Sequence, residues 1–348
     1  RKRLAFDEML AWQFALAQVR ASTRRTNGIS HPPAPQARQN FLKSLPFSLT
    51  GDQEKVIKEL DEDLMRPSPM LRLLQGDVGA GKTVVAFAAA VRAKAGGYQT
   101  AMMAPTEILA SQHHINAKQM LEPLGISTLL LTGKMKAKEK REANAAISAG
   151  EVDVVFGTHA LIQKNVDFKN LSLVIIDEQH RFGVRQRLAL SEKQNTAPPD
   201  VLVMTATPIP RTLALTMYGD MDISILREKP PGRTPIQTTV MPAEKLGTVV
   251  NALARIVQRG EQVYWVCPLV EESEKTDLAA ATQRFEQVQQ AYGEDAVLLH
   301  GRMKPAEKEQ IMADFKAGKY KIMVATTVIE VGVDVPQATT MVIEHAER

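Results

Sequence analysis

The sequence predicts two α/β domains in tandem, each built on a parallel β-sheet, with an N-terminal helix and a proline-rich linker in front. Three observations predict this class. From residue 71 onward, short apolar runs alternate with helix-like stretches, which is typical of parallel strands joined by crossover helices. A proline-rich segment at residues 227–235 interrupts the alternation, which then resumes. The length of 348 residues also fits two domains of ordinary size.

The start of the chain differs from the rest in pattern and charge. Phe6, Leu10 and Phe14 recur at helical spacing, so we expect a helix that docks through this apolar face. The stretch GISHPPAPQARQ, with three prolines, predicts a linker. Residues 1–46 hold eight Lys/Arg and two Asp/Glu, a net charge of +6, whereas the whole chain has a net charge of only +4. The rest of the chain is therefore slightly acidic. Net charge is therefore weak evidence that the body of the chain binds nucleic acid.

Apolar runs define the predicted strands. They are LRLLQ, TAMMA, STLLL, VDVVF, LVII and VLVM, and later QVYWV, AVLLH, KIMVA and TMVIE. Runs without polar alternation are typical of strands that helices cover on both faces. The segment REKPPGRTP separates the two sets, so we place the domain boundary within it. The expected domains are residues 47–230 and residues 231–348.

Composition excludes several classes of protein. The single cysteine, Cys267, rules out an internal disulfide framework and indicates a reducing compartment, so we expect a cytoplasmic protein. Cys267 follows a run of apolar residues and is expected to be a small core residue. No apolar run approaches the roughly 18 residues that suggest a membrane span. No Cys/His set has zinc spacing, and the adjacent His113 and His114 would point apart on a helix.

The stretch GDVGAGKT matches the phosphate-loop pattern G-x-x-x-x-G-K-[ST] in full. It follows the predicted strand LRLLQ and precedes the predicted helix TVVAFAAAV, which is the context that the pattern requires. Its glycines allow a turn whose N–H groups form an anion nest, and the following helix adds its positive end. We expect Lys82 to reach the β- and γ-phosphates and Thr83 to offer a hydroxyl to Mg²⁺. The predicted nucleotide site is Gly76, Asp77, Val78, Gly79, Ala80, Gly81, Lys82 and Thr83.

The stretch VIIDEQHRFG places two acids directly after a buried strand. Such a pair is costly unless a cation or a shared proton compensates its charge. We expect Asp177 to hold Mg²⁺, from the end of a strand that neighbours the phosphate-loop strand. Glu178 would then orient the attacking water and accept its proton. Taken alone, the two acids also fit a helix cap, but the phosphate loop favours the catalytic interpretation.

Further motifs resemble those of superfamily 2 helicases. DEQH resembles the DExH-type motif II, and LTGDQ resembles the adenine-reading Q motif. The other matches are APTEILA with motif Ia, GTHAL with a motif that grips the nucleic-acid backbone, TATPIPRT with motif III, LLHGRM with motif IVa and ATTVIEVGVDVP with motif V. The resemblance implies two RecA-like motor domains that use ATP and Mg²⁺.

The ordered set of motifs narrows the resemblance to one family. DEQHRFGV, TATPIPRTLA, PPGRTPI, YWVCPLVEESE, HGRMKPAEK and ATTVIEVGVDVP together resemble the RecG family of bacterial branch-migration DNA helicases, over essentially residues 47–348. Transcription-repair coupling translocases share the DE-x-x-RFG pattern but usually have Glu-Gln in place of Gln179–His180. The primosomal fork helicase is a more distant alternative. The resemblance implies a monomeric DNA translocase that remodels forks and four-way junctions in repair and recombination, without a membrane partner.

The resemblance also assigns roles to individual residues. Gln53 would read the adenine, Asp334 would lie near the ribose, and His180 would couple the nucleotide site to the nucleic acid. Backbone phosphates would be held by residues at strand-to-helix junctions, namely Thr106, Gly157, Thr158, His300, Gly301, Arg302, Thr326 and Thr327. Threonines at such junctions also cap helices, so the two roles remain open together.

Two parts of the family pattern are expected to lie outside the chain. RecG-like proteins have a wedge domain before the motor, and residues 1–46 resemble the segment that leads out of it. The chain stops at HAER, before motif VI, whose arginines reach the γ-phosphate in the family. Three hypotheses follow: a DNA translocase module, a chain that binds nucleotide and DNA without turnover, and a phosphate-loop NTPase that is not a helicase.

Overall fold

The computed structural model describes two units, Arg1–Thr234 and Pro235–Arg348. The described residues are 27–133, 135–158, 161, 166–178, 197–207, 221–230, 236–267, 274–326, 335 and 337–346, together with Arg3, Phe6, Leu10, Ala11, Phe14 and Gln18. Each unit contains its own sheet, and every strand pair in both sheets is parallel. The fold is therefore α/β with two parallel-sheet domains in tandem, as the sequence predicts.

The proline-rich linker lies against the first unit. The backbone N–H groups of Gly28 and His31 donate to the carbonyl oxygens of Pro67 and Leu64, both at 2.8 Å. The His31 side chain is buried and pairs with Asp200 at 3.1 Å. The stretch is thus an ordered strap, in contrast to a solvated tether.

The helix that follows the strap also packs into the first unit. Helix α1 (Pro35–Ser44) buries Phe41 completely in the main core. By contrast, Phe6, Leu10 and Phe14 are helical but 65, 57 and 64% exposed. The docking expected of that apolar face is not made by the residues that the structure describes.

Within the described residues, the first sheet has seven strands in the order β3-β4-β2-β5-β6-β1-β7. They are β1 (Leu71–Gly76), β2 (Gln99–Met103), β3 (Thr128–Leu131), β4 (Val154–Gly157), β5 (Leu171–Ile176), β6 (Asp200–Thr205) and β7 (Asp222–Leu226). Strand β5 is buried at every position, as the apolar run at residues 173–176 predicts. Strand β7 is an edge strand with exposed and buried positions, and its sequence DISIL is not among the apolar runs that predict strands.

The strand order corrects one expectation about the site. The acid-bearing strand β5 was expected to neighbour the phosphate-loop strand β1. Strand β6 lies between them, pairing with β1 on one side and β5 on the other. Because all the strands are parallel, their carboxyl ends still share one edge of the sheet. The acids and the loop therefore lie on the same edge, one strand further apart than expected.

The helices of the first unit position the loops at that edge. They are α2 (Gly51–Leu64), α3 (Lys82–Ala95), α4 (Glu107–Met120) and α5 (Ala137–Ala149). Every residue of α3 from Val84 to Ala93 is buried, and its many alanines permit close packing. Helix α2 begins with a capping box in which Thr50 and Gln53 exchange hydrogen bonds. These two helices carry the phosphate loop and Gln53 on a rigid core.

In the part of the second unit that the structure describes, four strands form a sheet in the order β11-β8-β10-β9. Its elements are β8 (Gln262–Val266), β9 (Ala296–Leu299), β10 (Ile322–Ala325) and β11 (Ala338–Ile343), with helices α6 (Leu246–Ala252), α7 (Ala254–Gln258), α8 (Glu274–Tyr292) and α9 (Pro305–Lys316). Trp265 is fully buried, and its indole N–H donates to Glu344 at 2.6 Å. Cys267 is buried, and this burial raises the pKa of its thiol to about 12, as suits a core residue.

None of the helices in the described part of the chain has the length and apolarity needed to cross a membrane.

Candidate active site

The segment between β1 and α3 folds into a tight loop. Gly79 and Gly81 have φ values of 72° and 83°, which glycine adopts readily. The N–H of Ala80 donates to the carbonyl of Asp77 at 3.0 Å, which closes the turn. Gly81 caps α3 without a side-chain hydrogen bond. The first two N–H groups of α3, those of Lys82 and Thr83, can therefore donate to an anion in the loop, while the next two donate to the carbonyl of Gly81.

The lysine of this loop lies close to the acids. Lys82 Nζ donates to the carbonyl oxygens of Gly76 at 2.7 Å and Asp77 at 3.1 Å. Desolvation lowers the pKa of Lys82, while the charges of Asp177, Glu178 and Asp77 act in the opposite direction. A poorly solvated ammonium group among carboxylates is typical of a site that binds a charged ligand. The structure thus brings together the lysine and the acids that the sequence singled out.

The two acids follow β5 and are only 7% and 8% exposed. Asp177 Oδ1 accepts the backbone N–H of Glu178 at 3.1 Å. Glu178 has a φ of 50°, a left-handed conformation that side-chain-bearing residues rarely adopt. Such backbone strain costs about 1–3 kcal/mol and clusters at functional sites, where the surrounding fold imposes it.

Gln53 packs against the phosphate loop. Its Nε2 donates to the carbonyl of Ala80 at 2.9 Å, and its Oε1 accepts the N–H of Thr50 at 2.9 Å. The side chain is 2% exposed, and a Cβ at position 81 would collide with its Nε2. Both ends of the amide therefore bind the protein. The reading of adenine by Gln53, which the family resemblance assigns, stays a prediction.

The residue beside Gln53 holds the segment that follows β7, a contact that sequence reasoning missed. Asp52 accepts the N–H groups of Arg227 at 2.7 Å and Glu228 at 3.0 Å, and its own N–H donates to Glu228 at 3.2 Å. The N–H of Arg227, above all, lowers the pKa of Asp52. Lys229 lies 3.9 Å from the carboxylate of Asp77 in the phosphate loop. No local pattern connects these residues, since the contact depends on the position of β7.

The donor chemistry of the site fits a Mg-nucleotide. Thr83 is half-buried at the start of α3 and Asp177 follows β5, so both offer oxygen atoms, which Mg²⁺ prefers. Among the described residues, no group of three or more His, Cys, Asp or Glu is placed to hold a metal alone. Such a group is not needed, because Mg²⁺ in nucleotide sites keeps several waters and binds phosphate oxygens.

In the first unit, three residues to which the family resemblance assigns nucleic-acid contacts lie at the same sheet edge. Thr106 caps α4, with its Oγ1 accepting the N–H of Leu109 at 3.3 Å. Gly157 ends β4, where a Cβ would press on the carbonyl of Leu131. Thr158 follows it and is half-buried. Capping explains Thr106 and packing explains Gly157, and a contact with DNA backbone remains a prediction for all three.

The corresponding residues of the second unit also meet at strand ends. His300 follows β9 and Thr326 follows the adjacent β10, where the N–H of Thr326 donates to the last carbonyl of β9 at 3.2 Å. The carbonyl of Gly301 accepts Lys308 Nζ at 2.6 Å, and Arg302 is exposed. Burial, with the positive charges of Lys308 and Arg302, lowers the pKa of His300. His180, Thr327 and Asp334 lie outside the described residues, so their roles stay predictions.

A further residue, His113, contacts the site but was assigned no role from the sequence. Its Nε2 lies 2.7 Å from Asp177 Oδ2. His113 shares the buried face of α4 with Leu109, Ala110 and Ala117. A single histidine in an otherwise apolar helix face was the available signal.

Two family models match the chain. The DEAD/DEAH box helicase model matches residues 50–216, and the helicase conserved C-terminal domain model matches residues 244–348. The helicase MrfA bound to DNA and AMPPNP has a similar fold, with a TM-score of 0.64 at 15% identity over 91% of this chain and 48% of that chain. The fold and the two models define the class, a helicase motor with two RecA-like domains. Members of this class bind nucleotides.

Relatives narrow the class to one family. ATP-dependent DNA helicase RecG of Acidithiobacillus ferridurans is 51% identical over 348 residues, which are 100% of this chain and 51% of that protein. RecG of Escherichia coli K12 is 48% identical over 352 residues, with the same shares. The structure of RecG bound to a three-way DNA junction matches 98% of this chain and 45% of that chain, with 41% identity and a TM-score of 0.84. This chain is thus similar over its whole length to a segment of RecG helicases, and it spans about half the length of the curated relatives it matches.

Proposed function

We propose that this chain is the motor segment of an ATP-dependent DNA helicase that remodels stalled replication forks and recombination junctions by branch migration and fork reversal. One observation carries the proposal: a complete phosphate loop and an acid pair share one sheet edge. The negative charges of both acids act to raise the pKa of Lys82 in that loop. Alignment with RecG helicases along the whole chain supports DNA as the partner. We further propose a cytoplasmic monomer.

The phosphate loop binds the nucleotide in this proposal. The N–H groups at the start of α3 and the nest around Gly79 and Gly81 meet the phosphate oxygens. Lys82 exchanges the carbonyl oxygens of Gly76 and Asp77 for the β- and γ-phosphates. Because burial leaves this ammonium poorly solvated, its attraction to an anion is stronger than that of a surface lysine. Gln53 holds the loop through Ala80 and faces the base side of the site.

The acid pair divides the remaining roles. Asp177 and the hydroxyl of Thr83 would hold Mg²⁺, which would neutralise charge on the phosphates. Glu178 orients the attacking water and accepts its proton. The strained backbone at Glu178 supports this role, because such strain persists only where the surrounding fold imposes it and thereby fixes the carboxylate position. His180 and Asp334 take the coupling and ribose roles that the family resemblance assigns.

The strand-to-helix junctions hold the DNA backbone. Helix N-termini, main-chain groups and small hydroxyls can bind phosphates there without reading sequence. The proposed contacts are Thr106, Gly157, Thr158, His300, Gly301, Arg302, Thr326 and Thr327. The boundary between the two motor domains is proposed at residues 230 and 231, within the proline-rich segment.

The proposal is tested by ATP hydrolysis in a polypeptide extended to the length of the RecG relatives. Hydrolysis is measured without DNA and with single-stranded, duplex, forked and four-way DNA. We expect stimulation by DNA, greatest with branched substrates, and loss of turnover in Lys82→Ala. Turnover near wild type in Lys82→Ala, or no response to any DNA, would refute the motor assignment. The same assay on the 348-residue chain decides whether this segment hydrolyses ATP or only binds it.

A further inference from the structure

Asp177 is held by hydrogen bonds from two different parts of the chain. His113 Nε2 lies 2.7 Å from Oδ2, and the backbone N–H of Glu178 donates to Oδ1 at 3.1 Å. Both residues are buried, with His113 8% and Asp177 7% exposed. Each carboxylate oxygen thus has a protein partner, and the orientation of the carboxylate depends on where His113 lies.

Packing alone does not explain a histidine at this position. An ionised carboxylate only accepts hydrogen bonds, so Nε2 of His113 must carry a proton when it contacts Asp177. The other ring nitrogen, Nδ1, is buried and has no hydrogen-bond partner among the described residues. A buried polar atom left unpaired costs about 1–3 kcal/mol, which an apolar side chain would avoid. The hydrogen bond to Asp177 is the contact that offsets this cost.

The histidine also connects the acid to a segment assigned to DNA. Helix α4 begins immediately after its cap Thr106, and His113 lies about two turns further, roughly 10 Å along the axis. Leu109 and Ala117 on the same face are buried, so we treat the helix as a rigid body that moves as one piece. A displacement of α4 at its N-terminus therefore moves the imidazole that holds Asp177.

We propose that His113 is a positioning residue for the metal-binding acid, and that it links Asp177 to the DNA-facing end of α4. The proposal rests on the nucleotide site described under Proposed function and adds one residue to it. His113 acts through the hydrogen bond to Oδ2, which leaves the carboxylate turned for Mg²⁺ binding. Residues that hydrogen-bond to metal ligands typically contribute about 10–100-fold to metal affinity, and we expect His113 to contribute within that range.

The test measures binding of a non-hydrolysable ATP analogue to the 348-residue chain, as a function of Mg²⁺ concentration and in EDTA. His113→Leu is expected to raise the half-saturating Mg²⁺ concentration about 10–100-fold and to leave the affinity in EDTA unchanged. His113→Gln is expected to restore most of the Mg²⁺ affinity, because its amide N–H reaches about as far as Nε2. His114→Leu is the matched control, since His114 lies on the same helix and packs against Phe156 at 5.7 Å between ring centroids.

The outcomes separate this proposal from the one it rests on. If Lys82→Ala binds the analogue as wild type does, the nucleotide site itself is wrongly assigned. If Lys82→Ala loses binding while His113→Leu keeps the wild-type Mg²⁺ dependence, the positioning role is refuted and the proposed function stands. Equal losses in Mg²⁺ and EDTA for both His113 variants would show a structural role only, and would also refute it.

The link to DNA has its own readout. Saturating single-stranded DNA is expected to lower the half-saturating Mg²⁺ concentration of the wild-type chain, and this shift should disappear in His113→Leu. The His114→Leu chain should show the wild-type shift. A shift of the same size in wild type and His113→Leu, zero included, would refute the link through α4.

Discussion

Replacement of Gly81 by alanine tests whether Gln53 and the phosphate loop form one structural unit. Gly81 has a φ of 83° and caps α3. A Cβ at this position would run into Gln53 Nε2, which donates to the carbonyl of Ala80 at 2.9 Å. The amide cannot move aside freely, because Thr50 holds its oxygen and the side chain is 2% exposed. The variant therefore strains the backbone and breaks the contact between Gln53 and the loop.

The expected magnitude has two parts. A left-handed backbone costs a residue with a Cβ about 1–2 kcal/mol. A buried hydrogen bond that loses its partner costs about 1–3 kcal/mol. The free energy of unfolding of the first unit should therefore fall by roughly 2–5 kcal/mol. Gly97→Ala is the matched control, since Gly97 has a φ of 82° and nothing within 4 Å of a Cβ. This control should cost only the backbone part, about 1–2 kcal/mol.

Hydrogen exchange of the buried amides in β1 and β6 measures the opening of the first unit separately from the second. In a Gln53→Ala background the collision is gone, so Gly81→Ala should then cost about as much as Gly97→Ala does in wild type. Nucleotide affinity should fall in Gly81→Ala and remain normal in Gly97→Ala. If the two glycine substitutions destabilise the first unit equally in the wild-type background, Gln53 does not brace the loop and the reasoning is wrong.

Three further predictions concern the same unit. Glu178→Gln should bind nucleotide normally but hydrolyse ATP about 10²–10⁴-fold more slowly in the extended polypeptide, because an amide cannot accept the proton of water; normal hydrolysis would exclude this role. Residues 27–230 alone should show a cooperative thermal transition by circular dichroism, at a higher midpoint than residues 47–230, because Phe41 is fully buried in the core; equal midpoints would contradict that packing. The pKa of Asp52 is lower in the folded protein than its ordinary value of 3.8. The hydrogen bonds from its two backbone N–H donors are therefore fully formed above pH 3.8 and are lost as the pH falls through the lower folded pKa. Exchange protection of those amides should follow this pH course and vanish in Asp52→Ala, and protection that persists there would refute the assignment.

Sequence patterns were sufficient for most of the sheet framework. Strands covered on both faces are rich in apolar residues, so β5 and its central neighbours could be recognised from the apolar runs within them. Strand β7 could not, because it lies at an edge and carries polar residues. The hydroxyl of its buried Ser224 accepts a hydrogen bond from Arg72 and donates one to Glu59. The partners of a buried polar residue come from distant segments, and a local pattern contains no information about them.

By itself, the sequence determined the chemistry that contiguous residues can perform. The phosphate loop was identifiable because its glycines, Lys82 and Thr83 act within one turn, whose geometry follows from local backbone preferences. Only the tertiary structure decided which distant groups meet that loop. It placed β6 between β1 and β5, Gln53 against Ala80, and His113 against Asp177. The physical reason is that such contacts depend on strand order and helix packing. These are settled by the burial of the whole core, which no single motif specifies.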